Sequence, residues 1–373
     1  MATELFPPAV AQHDELTWLQ ALIEPYLAIH EVTLGAMNGR AIRLKGELRA
    51  PSDELYAAVA PRLRERGRTL LLREEEGQVV VLAVAGVVQP RESNRWLPAL
   101  LAVLTFASMV FTYAVMHISG DAITWPALAA NLGDALAFTV SLLAILVSHE
   151  LGHYFVARHF GVAVSLPYLI PLPMSLLGTM GAIIQIKDVP PSRRALLLIG
   201  AAGPLAGLIV GVPILVLGVA LSEVTTLPTG SGYMLEGNSL LYALCKYLLK
   251  GQWLPSATED VMLHPVALAG WAGLLVTSFN LLPAGQLDGG HVATALLGRH
   301  AAKLTWAVIA ILLPMGLLWP GWFLWAVLAW VFSRVRVEPL DNVTPLTPGE
   351  VRLAILLLVL AVLTFTPIPI RVY

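Results

Sequence analysis

The chain has 373 residues, of which 57% are hydrophobic and 13% charged, with a formal net charge of −2. Soluble domains run near 25% charged, so this composition excludes an ordinary soluble enzyme and indicates a polytopic membrane protein. Of the 48 charged side chains, 24 fall in residues 1–95, which sets a soluble head against a membrane body; a net charge this small offers no footing for a nucleic-acid partner.

Cys245 is the single cysteine, so neither an intrachain disulfide nor a cysteine-built metal site is available. The opening Met1-Ala2-Thr3-Glu4 has neither the pattern of a signal peptide nor the Arg-rich bias of a transit peptide. The expectation is a prokaryotic plasma membrane.

Residues 1–90 read as a small α/β domain. Ala41 to Gly46 alternates like a half-buried strand, Ser52 can cap a helix running through about Arg66, and residues 69–73 and 79–84 form two strands joined by Glu74-Glu75-Glu76-Gly77. Nothing here is catalytic, and Gly46-Glu47-Leu48-Arg49 taken alone is an ordinary strand end. A charged linker over residues 91–95 leads into about 20 apolar residues from Trp96 to Met116, enough to span a hydrocarbon core of ~30 Å. Arg91 and Arg95 precede that span, and His117 to Asp121 follows without a Lys or Arg, so the positive-inside rule makes the head cytoplasmic.

The second span, about residues 132–155, contains thirteen uncharged residues, 135–147, that run into Ser148-His149-Glu150-Leu151-Gly152-His153. Ionisable groups at the end of a membrane helix are costly and mark function by default. Positions four apart share one helix face about 6 Å apart along the axis, so His149 and His153 can hold one ion between them with Glu150 alongside. This is the H-E-x-x-H arrangement, two imidazole ligands for zinc and a carboxylate as general base. The plainer reading is a polar helix end among lipid headgroups.

Residues 161–188 are apolar but interrupted by Pro167, Pro171, Pro173, Gly178 and Gly181, and Gly181 to Lys187 has strand character. Irregular backbone at membrane depth survives only against protein or a wet cavity, so a re-entrant β-hairpin near the site is expected, with an edge open to an extended peptide. Ser192-Arg193-Arg194 opens the third span, residues 195–221, in which Gly203-Pro204-Leu205-Ala206-Gly207 is a small-residue face for close helix packing. Residues 222–264 form a long loop with a short interfacial helix over 240–249, and His264 is a loop histidine.

Span four, residues 266–282, ends in Phe279-Asn280-Leu281-Leu282-Pro283-Ala284-Gly285-Gln286-Leu287-Asp288-Gly289-Gly290-His291. Asp288 is the lone acid of this stretch and reaches the same depth as His149 and His153 because spans two and four run the same way. Three protein ligands plus one open position make a catalytic zinc site, with Asp288 as third ligand and His291 as a competing candidate. Residues 304–318, 322–332 and 351–365 supply three more apolar runs, and Trp319, Trp322, Trp325 and Trp330 read as an interfacial belt. Arg334 and Arg336 put the intervening loop inside, for seven spans in all.

With His149-Glu150-x-x-His153 and Asn280-x-x-Pro283-x-x-x-x-Asp288-Gly289 both present, the chain resembles the site-2 protease family of intramembrane zinc metalloproteases over about residues 130–300. The resemblance implies one Zn2+ held by His149, His153 and Asp288, Glu150 as catalytic acid and base, and Asn280 holding the substrate or the oxyanion. It implies cleavage of a peptide bond in or near a transmembrane segment of a membrane-protein substrate within the lipid bilayer. The fold expected is an all-α polytopic membrane domain over 96–373, with a re-entrant hairpin and the N-terminal α/β domain. Gly46-Glu47-Leu48-Arg49 and the head are similar to the membrane-proximal domain of the plant plastid gravitropism-deficient branch and its bacterial counterparts, where the second position is usually Asn. The chain has no room for the PDZ insertion or the CBS pair of other branches.

Two further readings use the same residues. A catalytically silent relative would hold or escort membrane proteins, but has no need of all four of His149, Glu150, His153 and Asp288. A metal or proton transporter needs a polar path through both halves of the bilayer, yet the outer halves of spans two and four hold almost no ionisable residue beyond Asp134.

Overall fold

A computed structural model describes residues 9–89, 94, 96–118, 123–227, 232–334 and 337–373. Arg91, Arg95, Asp121 and Arg336, on which the sidedness expectation leaned, lie outside the described residues. The chain divides into two compact units, one gathering residues 1–90 with 188–195 and 338–347, the other the remainder.

In the first unit, helix α1 (Ala9–Ile23) precedes strand β1 (Leu27–Gly35), the turn-like α2 (Ala36–Gly39), β2 (Ala41–Leu48), α3 (Ser52–Glu65), β3 (Arg68–Glu75) and β4 (Gln78–Ala85). The antiparallel sheet has the order β1-β2-β4-β3. Alternation along β2 explains its two faces. Ile42 and Leu44 enter a core with Leu19, Leu55, Val59, Leu63 and Val81, whereas Arg43 pairs with Glu31 at 2.8 Å and Glu75 at 2.7 Å, and Lys45 with Glu76 at 2.9 Å. The edge of β3 is covered: Leu72 N donates to Leu340 O at 2.9 Å, and Asn342 N to Leu72 O at 3.2 Å. Ser52 does not cap α3, because Pro51 occupies that position and the Ser52 hydroxyl meets Thr344 Oγ1 at 2.9 Å. Gly46 to Arg49 ends β2, where Arg49 Nη1 donates to Glu24 O at 3.2 Å.

The second unit is mostly helical. It comprises α4 (Trp96–Met116), the short α5 (Trp125–Ala130), α6 (Leu132–His159), a hairpin of β5 (Tyr168–Pro171) and β6 (Thr179–Ile183), and α7 (Arg193–Leu221). There follow β7 (Glu223–Thr226), β8 (Met234–Glu236), α8 (Leu240–Lys250), β9 (Glu259–Met262), α9 (Pro265–Asn280), α10 (Asp288–Leu297), α11 (Ala301–Met315), α12 (Gly321–Ser333), α13 (Pro348–Thr364) and β10 (Ile370–Val372). Among the described residues, four helices are long and apolar enough to cross a membrane: Trp96–Met116, Leu132–His159, Arg193–Leu221 and the joined Asp288–Met315. The other three expected spans are shorter helices of 16, 13 and 17 residues, α9, α12 and α13.

Met109 and Tyr113 of α4, Phe138, Leu142 and Leu146 of α6, Leu208 and Leu215 of α7, and Trp271 and Leu274 of α9 share one packed core. Lipid tails are as apolar as Leu, so close packing and polar contacts, rather than transfer out of water, hold such helices together. Polar contacts also fix the hairpin. Ser108 Oγ of α4 donates to Gly178 O at 2.6 Å and Thr112 Oγ1 to Pro173 O at 3.2 Å, which accounts for hydroxyls buried on an apolar helix. Met180 and Ile183 of β6 remain exposed.

Candidate metal centre

Helix α6 is apolar through most of its length and carries His149, Glu150 and His153 in its last three turns, all buried at 4–5% exposure. Helical spacing brings the two imidazoles together, with His149 Nε2 and His153 Nε2 3.3 Å apart. The His153 ring is oriented by α7: its Nδ1 lies 2.7 Å from Ile199 O. A carbonyl oxygen only accepts, so Nδ1 carries the proton and the Nε2 lone pair is left facing His149.

Space for that ring comes from Gly203 of α7. A Cβ at this position would sit 2.0 Å from His153 Nε2. The small-residue run 203–207 is therefore a packing face, and what it packs against is the histidine pair, since a Cβ on Gly207 would come within 3.1 Å of His149 Nδ1.

Asp288 arrives from the other side of the site. The expectation placed it at the end of span four; instead α9 stops at Asn280, and a turn through Pro283 and Gly285 leads to a new helix that begins at Asp288. The turn is tight enough that a Cβ on Gly289 would lie 2.0 Å from Leu281 O, so only glycine fits there. As the first residue of α10, the carboxylate sits at the positive end of a helix dipole. Its Oδ2 lies 3.1 Å from His149 Nε2 and its Oδ1 3.2 Å from His153 Nε2. Asn280 Nδ2 stands 3.3 Å from His149 Nε2, so the last residue of α9 faces the same point.

Among the described residues, His149, His153 and Asp288 form a group able to hold a metal ion, and His291 is not part of it. A Cβ on Gly200 would come within 2.9 Å of His291 Cβ, which places that residue against α7. His264 caps α9, its Nδ1 accepting from Val266 N at 3.3 Å.

The donor set fits zinc. Two imidazole nitrogens and a carboxylate are borderline ligands of the kind zinc takes, and separations of 3.1 to 3.3 Å match the edges of a tetrahedron with bonds of about 2.0 Å. Two imidazole nitrogens and a carboxylate that face one buried point are satisfied together by a single cation among them.

Residues 137–319 match the model of Peptidase family M50. Over that stretch the chain is similar to Peptidase family M50. The M50 match takes in the histidine pair, Asn280 and Asp288. Similar curated proteins include "Probable zinc metalloprotease EGY2, chloroplastic" of Arabidopsis thaliana, 34% identical over 244 residues, which covers 64% of this chain and 43% of the relative. The protein of the same name from Oryza sativa subsp. indica is 28% identical over 351 residues, 88% of this chain and 62% of the relative. "Probable zinc metalloprotease EGY1, chloroplastic" of Arabidopsis thaliana is 33% identical over 240 residues, covering 63% and 43%. The chain spans about half the length of the curated relatives it matches. No solved structure matches it.

These relatives overturn the expectation of a prokaryotic plasma membrane with a cytoplasmic head. They are chloroplastic proteins and point to a plastid membrane. The choice of membrane rested on the four residues Met1 to Glu4, too few to identify one, and charge bias around a span concerns which side a loop takes, not which membrane it crosses.

The sequence pattern did not disclose two contributors to the metal centre. The Ile199 carbonyl is a backbone group without any signature, and Gly203 was visible only as a small residue, with nothing to name His153 as its partner.

Proposed function

We propose that this chain is an intramembrane zinc endopeptidase that hydrolyses a peptide bond in or near a transmembrane segment of a membrane-protein substrate. The observation that carries this is the convergence of His149 Nε2, His153 Nε2 and the Asp288 carboxylate within 3.1 to 3.3 Å, from helices far apart in sequence. In this reading His149, His153 and Asp288 hold one zinc ion, which when bound supplies a Lewis acid that acidifies water and polarises the scissile carbonyl.

Glu150 takes the proton of the attacking water and delivers it to the leaving amine. Its place next to His149 in sequence, buried from bulk solvent, keeps the shuttled proton within the site. Asn280 directs its side-chain amide toward His149 Nε2 and donates to the developing oxyanion, a contribution of about 3 kcal/mol. The hairpin of β5 and β6 is a re-entrant element whose exposed β6 edge pairs with the unwound stretch of the substrate. Unwinding is required because a helical substrate keeps its amides in i to i−4 hydrogen bonds.

The membrane domain in this reading occupies 96–373 with the core at about 130–300, and α9, α12 and α13 join the four long helices for seven spans. Residues 1–90 form the soluble domain and 91–95 the linker. The test is zinc analysis of the purified chain together with cleavage of a candidate membrane protein by wild type and Glu150→Gln. One zinc per chain in both, with cleavage by wild type alone, supports the assignment. Metal-free protein that cleaves would end it.

A further inference from the structure

The loop side of the membrane unit contains a cavity of about 430 Å3, remote from the metal centre. Its walls include Met116 and Leu176, Met262 at the end of β9, and Leu268 and Trp271 of α9. Leu268 and Trp271 precede Asn280 by 12 and 9 residues, which puts them roughly 14 to 18 Å from it along the helix axis.

Charge in this wall is arranged unusually. Lys246 lies on α8, the helix expected at a membrane interface, and is fully buried behind the cavity. Its Nζ lies 3.2 Å from Asp260 Oδ1 and 3.5 Å from Glu236 Oε1, and 4.6 Å above the Tyr242 ring. Tyr242 also donates its hydroxyl to Glu236 Oε1 at 2.9 Å, and Val261 N donates to Asp260 Oδ1 at 2.8 Å. One cation is therefore shared between two carboxylates, and both carboxylate residues line the cavity. Asp260 is 3% exposed, and its second oxygen, Oδ2, has no hydrogen-bond partner among the described residues.

A buried carboxylate oxygen without a donor is costly, and native structures leave few of them. Among the described residues, the cavity walls offer it no Lys or Arg. The other titratable groups lining the space are Tyr113, Tyr233 and His117, and His117 Nδ1 is already turned to Tyr113 O at 2.9 Å. A single water could serve Oδ2, but a space of this size with Met, Leu and Trp walls has the dimensions and lining of a small-ligand site.

We propose that this cavity binds an organic cation, an ammonium or guanidinium group carried on an apolar stem. The charged group meets Asp260 Oδ2 and Glu236, and the stem lies against Met262, Leu268 and Trp271. Burial pushes the Glu236 carboxyl up from its ordinary range, and a cation beside it acts in the opposite direction. This inference stands apart from the zinc reading, since it uses none of the metal-centre residues.

The test is equilibrium binding of hexylammonium to the full chain in nanodiscs, with hexanol and hexanoate as neutral and anionic matches and protein-free nanodiscs as the blank. Two variants accompany it: Asp260→Asn, which removes the charge, and Met262→Trp, which fills the space from its apolar wall and leaves the Lys246 pairing intact. Hexylammonium should bind saturably and at least tenfold more tightly than either match, and each variant with an unshifted thermal transition should weaken it at least tenfold. Should Asp260→Asn fail to fold, Met262→Trp decides alone. Equal binding of hexanol, or hexylammonium binding unchanged by Met262→Trp, would overturn the proposal. Competition by the acetylated and amidated tripeptide Leu-Lys-Leu separates the sources of the cation. Displacement assigns it to a protein segment and no displacement to a free amine, and both uphold a cation site.

Discussion

Gly203 of α7 lies against the His153 ring so closely that a single added methyl would stand 2.0 Å from Nε2, the atom turned toward His149 and Asp288. The contact partner is a ring already held on its other side by the Ile199 carbonyl at 2.7 Å, so it has nowhere to retreat. Gly203→Ala should therefore displace the imidazole, lower the zinc content of the purified chain well below one per molecule and cost about 1 to 3 kcal/mol through overpacking. Metal analysis beside chemical denaturation checks this. Full zinc occupancy in Gly203→Ala would show that the helix pair yields and that the close approach is incidental.

Glu150 shares the helix and the burial of the two histidines but is not one of the three converging donors. Glu150→Gln is nearly isosteric, so the variant should keep wild-type zinc and lose cleavage by at least a hundredfold, in line with the usual contribution of a general base. Loss of zinc in the variant would instead make Glu150 part of the ion's holding set.

Asn280 separates from the ligands by the same logic. Its Nδ2 is 3.3 Å from His149 Nε2, within reach of the reacting centre and from a different helix. Asn280→Ala should leave zinc intact and reduce kcat by roughly 10² to 10³, the range seen when an oxyanion donor is removed. A rise in KM with kcat unchanged would place Asn280 in substrate holding alone.

What could be read from the sequence follows how local each signal is. His149 and His153 are four residues apart, so helical geometry alone brings them together. Asp288 stood out as a lone acid among glycines, yet its element was misplaced, because a chain break at Pro283 and Gly285 followed by a restart looks like the fraying end of one helix. The burial of Lys246 had no local signal: its partners Glu236 and Asp260 lie 10 and 14 residues away on other elements, beyond any periodic pattern. The strip of residues 338–347 beside β3 had no signature at all, since Leu72 and Leu340 meet only through backbone groups. Helix α1 and strand β1 were missed for want of clear periodicity, although Leu19 and Leu27 prove to be core residues.

The Glu236 carboxyl lies outside the membrane spans and its pKa is raised, first by burial and against the pull of Lys246. The folded chain therefore keeps this proton to higher pH than the unfolded chain does. Its contribution to stability is full below the ordinary carboxylate pKa and is lost as pH rises through the raised value. Asp260, Lys246 and Tyr242 face the same carboxyl, so the measurement must be a difference between proteins rather than a single titration. Glu236→Gln, which cannot ionise, should gain stability relative to wild type as pH increases from about 4 toward 7, read as a widening gap between their thermal midpoints. A gap that narrows over this interval would mean that Lys246 dominates burial and that the carboxyl ionises more readily in the folded chain than in water.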